Sequence, residues 1–273
     1  MSNGAGLLKV IREKRPLIHH LTNYVTMNDC AAVTASVGAL PVMAEAEEEA
    51  EEMVAQAGAA VINTGTLLPW RARSMMLMGK KAREKGIPVV FDPVGAGATT
   101  YRTREIKHLL GGIHPAVVRG NAAEIGFLAG MEGAIISGIE TLEFVGKPLE
   151  AARRLRERLN YDAVIAVTGP VDVVTDGLRV ARIFNGHPLL PRVVGSGCMS
   201  VSLIACFAAV ERDYFVAAAY ALACLGLAAE RAAEALGGSS FGPLSFKLRF
   251  IDELYLLTPE TLAEKARMEI LPL

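Results

Sequence analysis

Residues 193–200 read Val-Val-Gly-Ser-Gly-Cys-Met-Ser, and an apolar segment continues from Ser200 to position 210. Two glycines one residue apart, directly before an apolar run, predict a flexible turn that leads into a helix. The free N–H groups at the start of such a helix, with the positive end of its dipole behind them, bind anions such as phosphate. Cys198 would lie at this positive end, so we expect a lowered thiol pKa. Taken alone, the pattern also fits an ordinary loop before a helix, because short glycine motifs recur by chance.

Composition is typical of a compact globular protein. The chain has 273 residues, of which 52% are hydrophobic and 21% are charged, a balance that excludes the disordered and fibrous classes. The formal net charge is −1, which provides no electrostatic footprint for a polyanion. We therefore expect neither a nucleic-acid partner nor binding to an anionic membrane surface.

The cysteines and the apolar runs favour a cytoplasmic location. The four cysteines include no Cys-x-x-Cys pair and no histidine at metal-ligand spacing, a pattern typical of a reducing compartment. Residues 1–16 contain several charges and are followed by no long apolar run, so no secretory signal is predicted. The longest uncharged apolar run, 214–229, has 16 residues, short of the ~20 needed to span a bilayer, and predicts a buried helix.

Apolar strands alternate with helical segments along most of the chain, which predicts an α/β fold. Strands that are apolar throughout are typical of a mostly parallel sheet covered by helices on both faces. Residues 172–183 instead resemble two strands joined by an Asp-Gly turn, which predicts an antiparallel edge. No repeat or long polar linker interrupts the pattern, so residues 1–273 are interpreted as a single domain.

The predicted strands are 16–22, 40–44, 59–65, 87–92, 116–121 and 163–169. The predicted helices are 23–37, 45–57, 70–85, 103–110, 122–129, 148–159, the alanine-rich segments from Ser200 to Leu236, and 246–257. A break at Gly237 and Gly238 separates the last two helical regions.

Small and polar residues stand where the predicted strands end, and ligands of an open parallel sheet bind beyond those ends. Asp92 and Glu124 are candidate carboxylate ligands of Mg²⁺, acting partly through water. Structural roles also stay open, since Asp92 could begin a turn and Glu124 could be a first-turn acid in a helix capped by Asn121. Arg119 ends an apolar strand and needs an anionic partner or solvent. The other strand-end residues are Thr22, Asn23, Met43, Asn63, Thr64, Gly65, Thr66, Thr168 and Gly169.

Together these motifs resemble those of the hydroxyethylthiazole kinases, which have the ribokinase-like fold and act in thiamine biosynthesis and salvage. The resemblance runs in order through residues 16–257, and ordered motifs are far more specific than any one of them. The motifs are Leu21-Thr-Asn-Tyr-Val-Thr-Met-Asn28, Pro41-Val-Met-Ala44, Asn63-Thr-Gly-Thr-Leu67, Asp92-Pro-Val-Gly-Ala-Gly97, Arg119-Gly-Asn-Ala-Ala-Glu124, Val167-Thr-Gly169 and Gly195-Ser-Gly-Cys198.

The resemblance implies an ATP-dependent kinase whose site has a nucleotide side. Arg119 and Thr168 match ATP-binding positions of that family. The spacing from Asn121 to Glu124 resembles the Asn-x-x-Glu that organises Mg²⁺ in ribokinase-like enzymes. Asp92 and Glu124 are therefore the expected metal-binding residues, with Asn121 beside the nucleotide.

The resemblance also implies a side that binds the alcohol. Met43 and Gly195 match positions that contact the thiazole alcohol in that family. The resemblance also implies a homotrimer in which neighbouring subunits share this site. The residues expected in a pocket completed by another chain are Asn23, Asn63, Thr64, Gly65 and Thr66.

Cys198 stands where most ribokinase-like relatives carry an aspartate as general base and where this family typically carries cysteine. A thiol is mostly protonated at neutral pH, so Cys198 is expected to act either as a modest base or as a group that positions the hydroxyl. The turn from Gly195 through Gly197 is expected to donate N–H groups to the developing charge. Ser196 stands where the family has threonine, a departure that leaves the backbone turn intact.

The resulting hypothesis is transfer of the ATP γ-phosphate to the hydroxyl of 4-methyl-5-(2-hydroxyethyl)thiazole. One alternative is a ribokinase-like kinase for another vitamin-precursor alcohol, hydroxymethylpyrimidine or pyridoxal. Cys198 argues against it, because those relatives more often carry aspartate there. A second alternative is a nucleotide-binding sensor without turnover, and the presence of both Asp92 and Glu124 argues against that.

Overall fold

The computed structural model of the protein describes residues 4–131, 148–237 and 241–273, and within them nine strands form one sheet. The order in space is β2-β1-β3-β4-β5-β6-β7-β8-β9. Neighbouring strands from β2 to β6 are parallel, and those from β6 to β9 are antiparallel. The strands are β1 (Leu17–Leu21), β2 (Leu40–Val42), β3 (Ala59–Asn63), β4 (Val89–Asp92), β5 (Val117–Asn121), β6 (Val164–Thr168), β7 (Asp172–Thr175), β8 (Arg179–Ile183) and β9 (Met268–Pro272).

Helices cover the sheet on both faces, as predicted for strands that are apolar throughout. One face carries α1 (Leu7–Lys14), α2 (Met27–Ser36), α8 (Ser196–Ala208), α9 (Tyr214–Leu236), α10 (Pro243–Leu256) and α11 (Pro259–Lys265). The other face carries α3 (Ala50–Val54), α4 (Pro69–Lys85), α5 (Thr100–Ile113), α6 (Ala122–Leu128) and α7 (Pro148–Arg158). The predicted three-layer α/β fold is confirmed.

The alternation of side chains along each strand builds two separate cores. In β3, Ala59 and Val61 belong to the core beneath α8 and α9, whereas Ala60 and Ile62 belong to the core beneath α4 and α5. Successive side chains of a strand point to opposite faces, so a strand between two helical layers must be apolar at every position. This requirement explains why the central strands show no polar alternation.

The antiparallel edge begins at a hairpin whose turn chemistry is visible in the sequence. Gly177 has a φ of 86°, a left-handed conformation that glycine adopts without a steric penalty. The Asp176 carboxylate accepts the N–H groups of Leu178 and Arg179 at 2.9 and 2.7 Å. The predicted hairpin is confirmed. β9, which pairs with β8 at the sheet edge, was not predicted, because its exposed, mixed composition carries no strand signal.

Helix α9 is the long apolar helix of the structure. It is long and apolar enough to cross a membrane by composition alone, yet 78% of its most apolar window is buried inside the protein. It forms most of its contacts with α8 and α10. The predicted buried helix is confirmed, and α9 ends at Leu236, one residue before Gly237. The other half of the predicted glycine break, Gly238, lies outside the described residues.

Two helices near the carboxyl ends of strands begin elsewhere than predicted. α2 begins at Met27 rather than at residue 23, because the Asn23 side chain accepts the Thr26 N–H at 3.1 Å and holds a turn. α8 begins at Ser196 rather than at Ser200. The glycine turn is therefore largely the first turn of the helix itself.

The predicted acidic helix at 45–57 is also shorter than expected, since α3 covers only Ala50–Val54. Glu45 and Glu47 precede it and form ion pairs with Arg71 and Arg73 of α4. These ion pairs hold the segment after β2 against α4 in a non-helical path. A charge cluster alone does not distinguish such pairing from a solvated helical face.

The substitution Phe91→Ala tests how much the core of the sheet contributes to stability. The Phe91 side chain is fully buried on β4, so Phe91→Ala should lower the free energy of unfolding by about 3–5 kcal/mol through lost burial and a new cavity. Urea denaturation followed by circular dichroism measures this change. Leu178→Ala, at a side chain that is 75% exposed, is the control and should stay within about 0.5 kcal/mol of the parent. Equal losses in the two variants would contradict the assigned core.

Candidate active site

The registers of the parallel strands place the polar strand ends in one row. Asn63, the last residue of β3, is paired with Asp92, the last residue of β4. Asn121, the last residue of β5, is paired with Thr168, the last residue of β6. Because parallel strands run in the same direction, their carboxyl ends share one edge of the sheet. The structure therefore confirms the prediction that these four strand-end residues lie along one edge of the sheet.

Cys198, in the first turn of α8, meets this row at the ends of β1 and β3. Its Sγ accepts N–H groups from the side chains of Asn23 and Asn63 at 3.2 and 3.3 Å. Asn23 also donates to the Asn63 carbonyl oxygen at 3.0 Å. The thiol is thus held by two buried amides, one from the loop after β1 and one from the end of β3.

Asp92 and Glu124 are both buried, and each is held in a different way. Asp92 Oδ2 accepts the Asn63 amide at 2.7 Å and lies 3.8 Å from a guanidinium nitrogen of Arg119. Glu124 accepts the backbone N–H groups of Gly95 and Asn121 at 3.0 and 2.9 Å. The Asn121 side chain accepts the Glu124 N–H at 2.9 Å, which completes a capping box at the start of α6.

The structural role considered for Glu124 is confirmed, while its role as a Mg²⁺ ligand stays a prediction. Glu124 is the first-turn acid of a capped helix, and its carboxylate also binds the glycine loop after β4. Asp92, in contrast, is the last residue of its strand, and its side chain engages in the row of polar groups rather than in a local turn. The turn interpretation of Asp92 has no support in its side-chain contacts.

Burial changes the protonation of these groups. Burial raises the pKa of Asp92 to about 7, because the nearby Arg119 cation only partly offsets the loss of solvation. Burial likewise raises the pKa of Glu124. The expected lowering of the Cys198 pKa is wrong. Burial and the negative charge of Asp92 raise the pKa of this thiol to about 11, so the helix dipole is not the dominant influence.

The Arg119 side chain links Asp92 on β4 with Thr168 on β6. Besides its approach to Asp92, it donates a hydrogen bond to the Thr168 hydroxyl. A Cβ atom at Gly197 would lie only 2.7 Å from a guanidinium nitrogen of Arg119. Gly197 therefore allows the arginine to pack directly against the first turn of α8. The anionic partner that the sequence required for Arg119 is in part Asp92.

Gly195 sets the entry into α8. Its φ of 85° is in the left-handed region, and a Cβ atom there would lie 2.3 Å from Cγ2 of Thr26. The backbone N–H groups of Gly197 and Cys198 donate to no acceptor among the described residues. Such unpaired donors at a helix start, next to the Arg119 guanidinium, are chemically suited to bind an anion.

The two carboxylates fit a Mg²⁺ ion that takes most of its ligands from phosphate and water. Asp92 Oδ1 is buried and has no hydrogen-bond partner within the described part of the chain. In the described ranges, no group of three or more His, Cys, Asp or Glu side chains is placed so that it could hold a metal ion, so the carboxylates there do not form a closed protein cage. Few carboxylates with open positions are the arrangement that Mg²⁺ uses beside nucleotide phosphates.

Thr64, Gly65 and Met43, which were also predicted for the site, make no described hydrogen bond to Cys198. Thr64 donates to the backbone carbonyls of Asp92 and Val94, both at 3.2 Å, and so fixes the loop after β4. Gly65 packs against Asn23, because a Cβ atom there would lie 2.6 Å from the asparagine Cβ. Met43 follows β2 and is half-buried, and no described hydrogen bond links it to Cys198, Asn23 or Asn63.

Arg71 is a residue of the site region that the sequence analysis missed. It is fully buried on α4 and donates to the carbonyl and hydroxyl of Thr66 at 2.9 and 2.7 Å. It also donates to the Thr22 carbonyl and to the Glu45 carboxylate. The loops after β1, β2 and β3 are thereby tied to one cation. Helical spacing alone does not distinguish it from the exposed arginine that follows on α4.

Arg102 and Asp172 were also missed. Arg102 donates to the carbonyls of Val94 and Gly65 at 3.1 and 3.0 Å, and it joins the loops after β3 and β4. Asp172 accepts the Gly169 N–H at 2.9 Å and holds the turn after β6. Burial raises its pKa to about 6. The Arg102 contacts join two separate loops, which no local motif indicates, whereas the Asp172 contact lies within a single turn.

Comparisons with known proteins agree on one family. The profile of the Hydroxyethylthiazole kinase family matches residues 8–260. A hydroxyethylthiazole kinase of Desulforudis audaxviator is 54% identical, over 97% of this chain and 94% of that relative. The solved structure of the hydroxyethylthiazole kinase protein from Pyrococcus horikoshii OT3 has a TM-score of 0.85 and 38% identity, over 99% of this chain and 100% of that one.

A more distant structure supports the predicted fold. A ribokinase-like superfamily protein from Enterococcus faecalis has a TM-score of 0.61 at 13% identity, over 89% of this chain and 87% of that one. Identity at this level carries the fold alone. The three-layer architecture with its antiparallel edge is thus ribokinase-like, as the sequence motifs implied.

Gly195→Ala tests the steric requirement at the start of α8. The substitution forces alanine into a left-handed conformation and against Thr26. Gly86→Ala is the matched control, because Gly86 has a φ of 66° and no atom lies within 4 Å of the place its new methyl group would take. We expect Gly195→Ala to lose about 2 kcal/mol more unfolding free energy than the control, whose loss is about 1–2 kcal/mol. Equal urea midpoints in the two variants would contradict this packing.

Asp92→Asn tests the burial of the carboxylate. The folded-state pKa of about 7 lies above the unfolded value, so between these two pKa values folding requires Asp92 to take up a proton, and the stability of the parent falls as pH rises towards 7. Asparagine has no such penalty. Without metal or nucleotide, the stability of Asp92→Asn relative to the parent should therefore improve by about 2 kcal/mol between pH 5 and pH 8. Urea denaturation in EDTA at both pH values measures this, and a pH-independent difference would refute it.

Proposed function

The chain belongs to the hydroxyethylthiazole kinase family, and we propose that it transfers the γ-phosphoryl group of ATP to the hydroxyl of 4-methyl-5-(2-hydroxyethyl)thiazole, a step of thiamine biosynthesis and salvage. The observation that carries this proposal is the convergence of Cys198, Asp92 and Arg119 at the start of α8. In the reaction, the hydroxyl oxygen bonds to the γ-phosphorus as the bond to the ADP oxygen breaks, and the hydroxyl proton passes to an oxygen of the transferred phosphoryl group or to water. Phosphoryl transfer requires mainly positioning and stabilisation of negative charge.

The first turn of α8 is the proposed position of the transferring phosphoryl group. Gly195 directs the chain into the helix, and the N–H groups of Gly197 and Cys198 have no described protein acceptor. Donors already oriented towards the developing charge stabilise it without reorganisation. The guanidinium of Arg119, packed against Gly197, adds positive charge at the same place.

In this proposal, the nucleotide and the metal bind on the side of the site away from the alcohol pocket. Arg119 and Thr168 bind the phosphates of ATP, with Asn121 at the start of α6 beside them. Asp92 and Glu124 would hold Mg²⁺, directly or through water, and the unpartnered Asp92 Oδ1 is the oxygen free to take part. When bound, Mg²⁺ neutralises charge on the phosphate oxygens.

Cys198 is proposed to position the acceptor hydroxyl rather than to deprotonate it. A thiol whose pKa is about 11 remains neutral at physiological pH and is a poor proton acceptor. Its place beside the unpaired N–H groups of α8 nevertheless puts it where the hydroxyl must approach. Of the two roles considered from the sequence, the positioning role is the one that the burial of Cys198 supports.

The alcohol pocket is proposed to lie between subunits of a homotrimer. Its residues are Met43, Gly195, Asn23, Asn63, Thr64 and Gly65. Next to Asn23 and Gly195 in the chain, the side chains of Val25 and Val194 are 69% and 71% exposed. They line one groove together with the exposed Leu244. An apolar surface of this kind beside the site is typical of a subunit interface.

Two broader features complete the proposal. Residues 1–273 form a single kinase domain, supported by the continuous sheet in which β9, near the chain end, pairs with β8. The enzyme acts in the cytoplasm on a small-molecule substrate. Free cysteines at all four positions agree with a reducing compartment.

A coupled ADP-release assay with ATP, Mg²⁺ and four alcohols tests the function. The alcohols are the hydroxyethylthiazole, the hydroxymethylpyrimidine, pyridoxal and ribose. We expect turnover with the thiazole alone, and loss of about 10²-fold or more in kcat for Glu124→Gln if this carboxylate serves the metal. Turnover on the pyrimidine or pyridoxal instead would reject the substrate assignment. Tight ATP binding without any turnover would favour the alternative that the protein is a nucleotide-binding sensor.

A further inference from the structure

Two buried asparagines stand between the carboxylate and the thiol of the proposed site. Asn63 donates to Asp92 Oδ2 at 2.7 Å and to Cys198 Sγ at 3.3 Å. Asn23 donates to the same sulfur at 3.2 Å and to the Asn63 carbonyl oxygen at 3.0 Å. A continuous chain of side-chain hydrogen bonds therefore connects the nucleotide side with the acceptor side.

Backbone N–H groups fix the orientation of both amides. The Asn63 side-chain oxygen accepts the Gly65 N–H at 2.9 Å, and the Asn23 side-chain oxygen accepts the Thr26 N–H at 3.1 Å. A backbone N–H can only donate, so neither amide can be turned around without losing that bond. The NH₂ group of Asn63 must therefore face Asp92 and Cys198, and that of Asn23 must face Cys198 and the Asn63 oxygen.

The hydrogen-bonding capacity of Asn63 is fully used within the protein. An asparagine side chain offers two N–H donors and an oxygen with two lone pairs. Asn63 uses its donors on Asp92 and Cys198, and its oxygen accepts from Gly65 and Asn23. The residue is also 1% exposed. Nothing in this side chain is left to bind a substrate directly.

We propose that Asn63 is a positioning residue that holds the Asp92 carboxylate and the Cys198 sulfur in one fixed geometry, with Asn23 as its partner. Its place in the pocket wall is thus indirect, since it acts through the two groups that it orients. The inference rests on the proposed phosphoryl transfer for its catalytic meaning. The hydrogen-bonding geometry itself does not depend on the identity of the alcohol.

The consequence for Asp92 is a defined free oxygen. Asn63 binds Oδ2, whereas Oδ1 is buried without a partner among the described residues. A carboxylate fixed through one oxygen presents the other in a single direction, as groups behind a metal ligand do in metal sites. Loss of the Asn63 amide would allow the carboxylate to rotate.

The consequence for Cys198 is a defined direction of its proton. A neutral thiol has two lone pairs and one hydrogen, and both lone pairs receive amide N–H groups from Asn23 and Asn63. The S–H bond must therefore point away from the asparagines. The Thr26 hydroxyl also hydrogen-bonds this thiol, and as a weak donor the S–H group can position the oxygen of the incoming hydroxyl without removing its proton.

Steady-state kinetics of Asn63→Leu and Asn63→Asp test the proposal. Leucine keeps the volume and removes all hydrogen bonds, while aspartate keeps the oxygen that accepts from Gly65 and removes both donors. We expect kcat to fall about 10- to 100-fold in each variant, the effect of losing a hydrogen bond to a charged group. KM for the alcohol should change by less than about threefold. A raised KM with an intact kcat would instead make Asn63 a substrate contact and overturn the proposal.

Asn185→Leu is the matched control for a purely structural effect. Asn185 is another buried asparagine with several hydrogen bonds, to Glu230, Lys265 and Arg267, and none of its described hydrogen bonds involves Asn23, Asn63, Asp92 or Cys198. Thermal unfolding of each variant accompanies the kinetics. If Asn185→Leu lowers kcat as much as Asn63→Leu at equal loss of stability, the positioning role is refuted.

A double-mutant cycle with Cys198→Ala tests whether Asn63 acts through the thiol. Residues in one hydrogen-bonded network have non-additive effects. Asn63→Leu should therefore reduce kcat less in the Cys198→Ala background than in the parent. Strictly additive losses would show that Asn63 does not act through Cys198.

Binding of Mn²⁺ in the presence of ADP, measured by titration calorimetry, provides a readout that needs no alcohol. Asn63→Leu should weaken Mn²⁺ binding about tenfold, because the supporting group of Asp92 is lost. If the parent phosphorylates none of the alcohols, the proposed function fails while this measurement still tests the geometry. Unchanged Mn²⁺ affinity in Asn63→Leu would overturn the inference in either case.

Discussion

Burial of the Asp92 carboxylate is the constraint on which the rest of the site depends. A buried charge is costly unless neighbouring groups compensate it, and here the compensation comes from Arg119 and from the Asn63 amide. These partners stand on adjacent strands, so the parallel sheet is what brings them together. The compensation is incomplete, as the raised pKa of Asp92 and its free oxygen indicate. An unsatisfied carboxylate of this kind lowers stability and is suited to a cation.

Three arginines organise the loops around this carboxylate. Arg71 joins the loops after β1, β2 and β3, Arg102 joins those after β3 and β4, and Arg119 joins the row itself to α8. A planar guanidinium offers several donors in a fixed geometry, so one side chain can bind carbonyls from separate loops. Glycines complete the arrangement, because Gly195 and Gly197 allow α8 to approach Thr26 and Arg119 without a Cβ atom between them. The site is therefore assembled by contacts among loops rather than by any single motif.

Much of the fold could be predicted because its signals are local. Apolar strands between helices indicated a two-sided parallel sheet, and the Asp176-Gly177 turn indicated the antiparallel edge. Strand ends also predicted which residues would share an edge, since Asn63 and Asp92 are paired in register. The pKa of Cys198 was predicted wrongly, because it depends on burial of the thiol and on the charge of Asp92, and both come from other parts of the chain.

The sequence by itself determined the layers of the fold, the glycine turn, the strand-end residues and the family, because side-chain periodicity, turn chemistry and ordered motifs are properties of the linear chain. Only the tertiary structure decided that Asn63 links Asp92 to Cys198, that Arg71 is buried, and that the thiol stays protonated. Hydrogen-bond satisfaction and desolvation depend on which groups meet in space. Those meetings join residues as far apart in the chain as Asn63 and Cys198, and no local pattern encodes them.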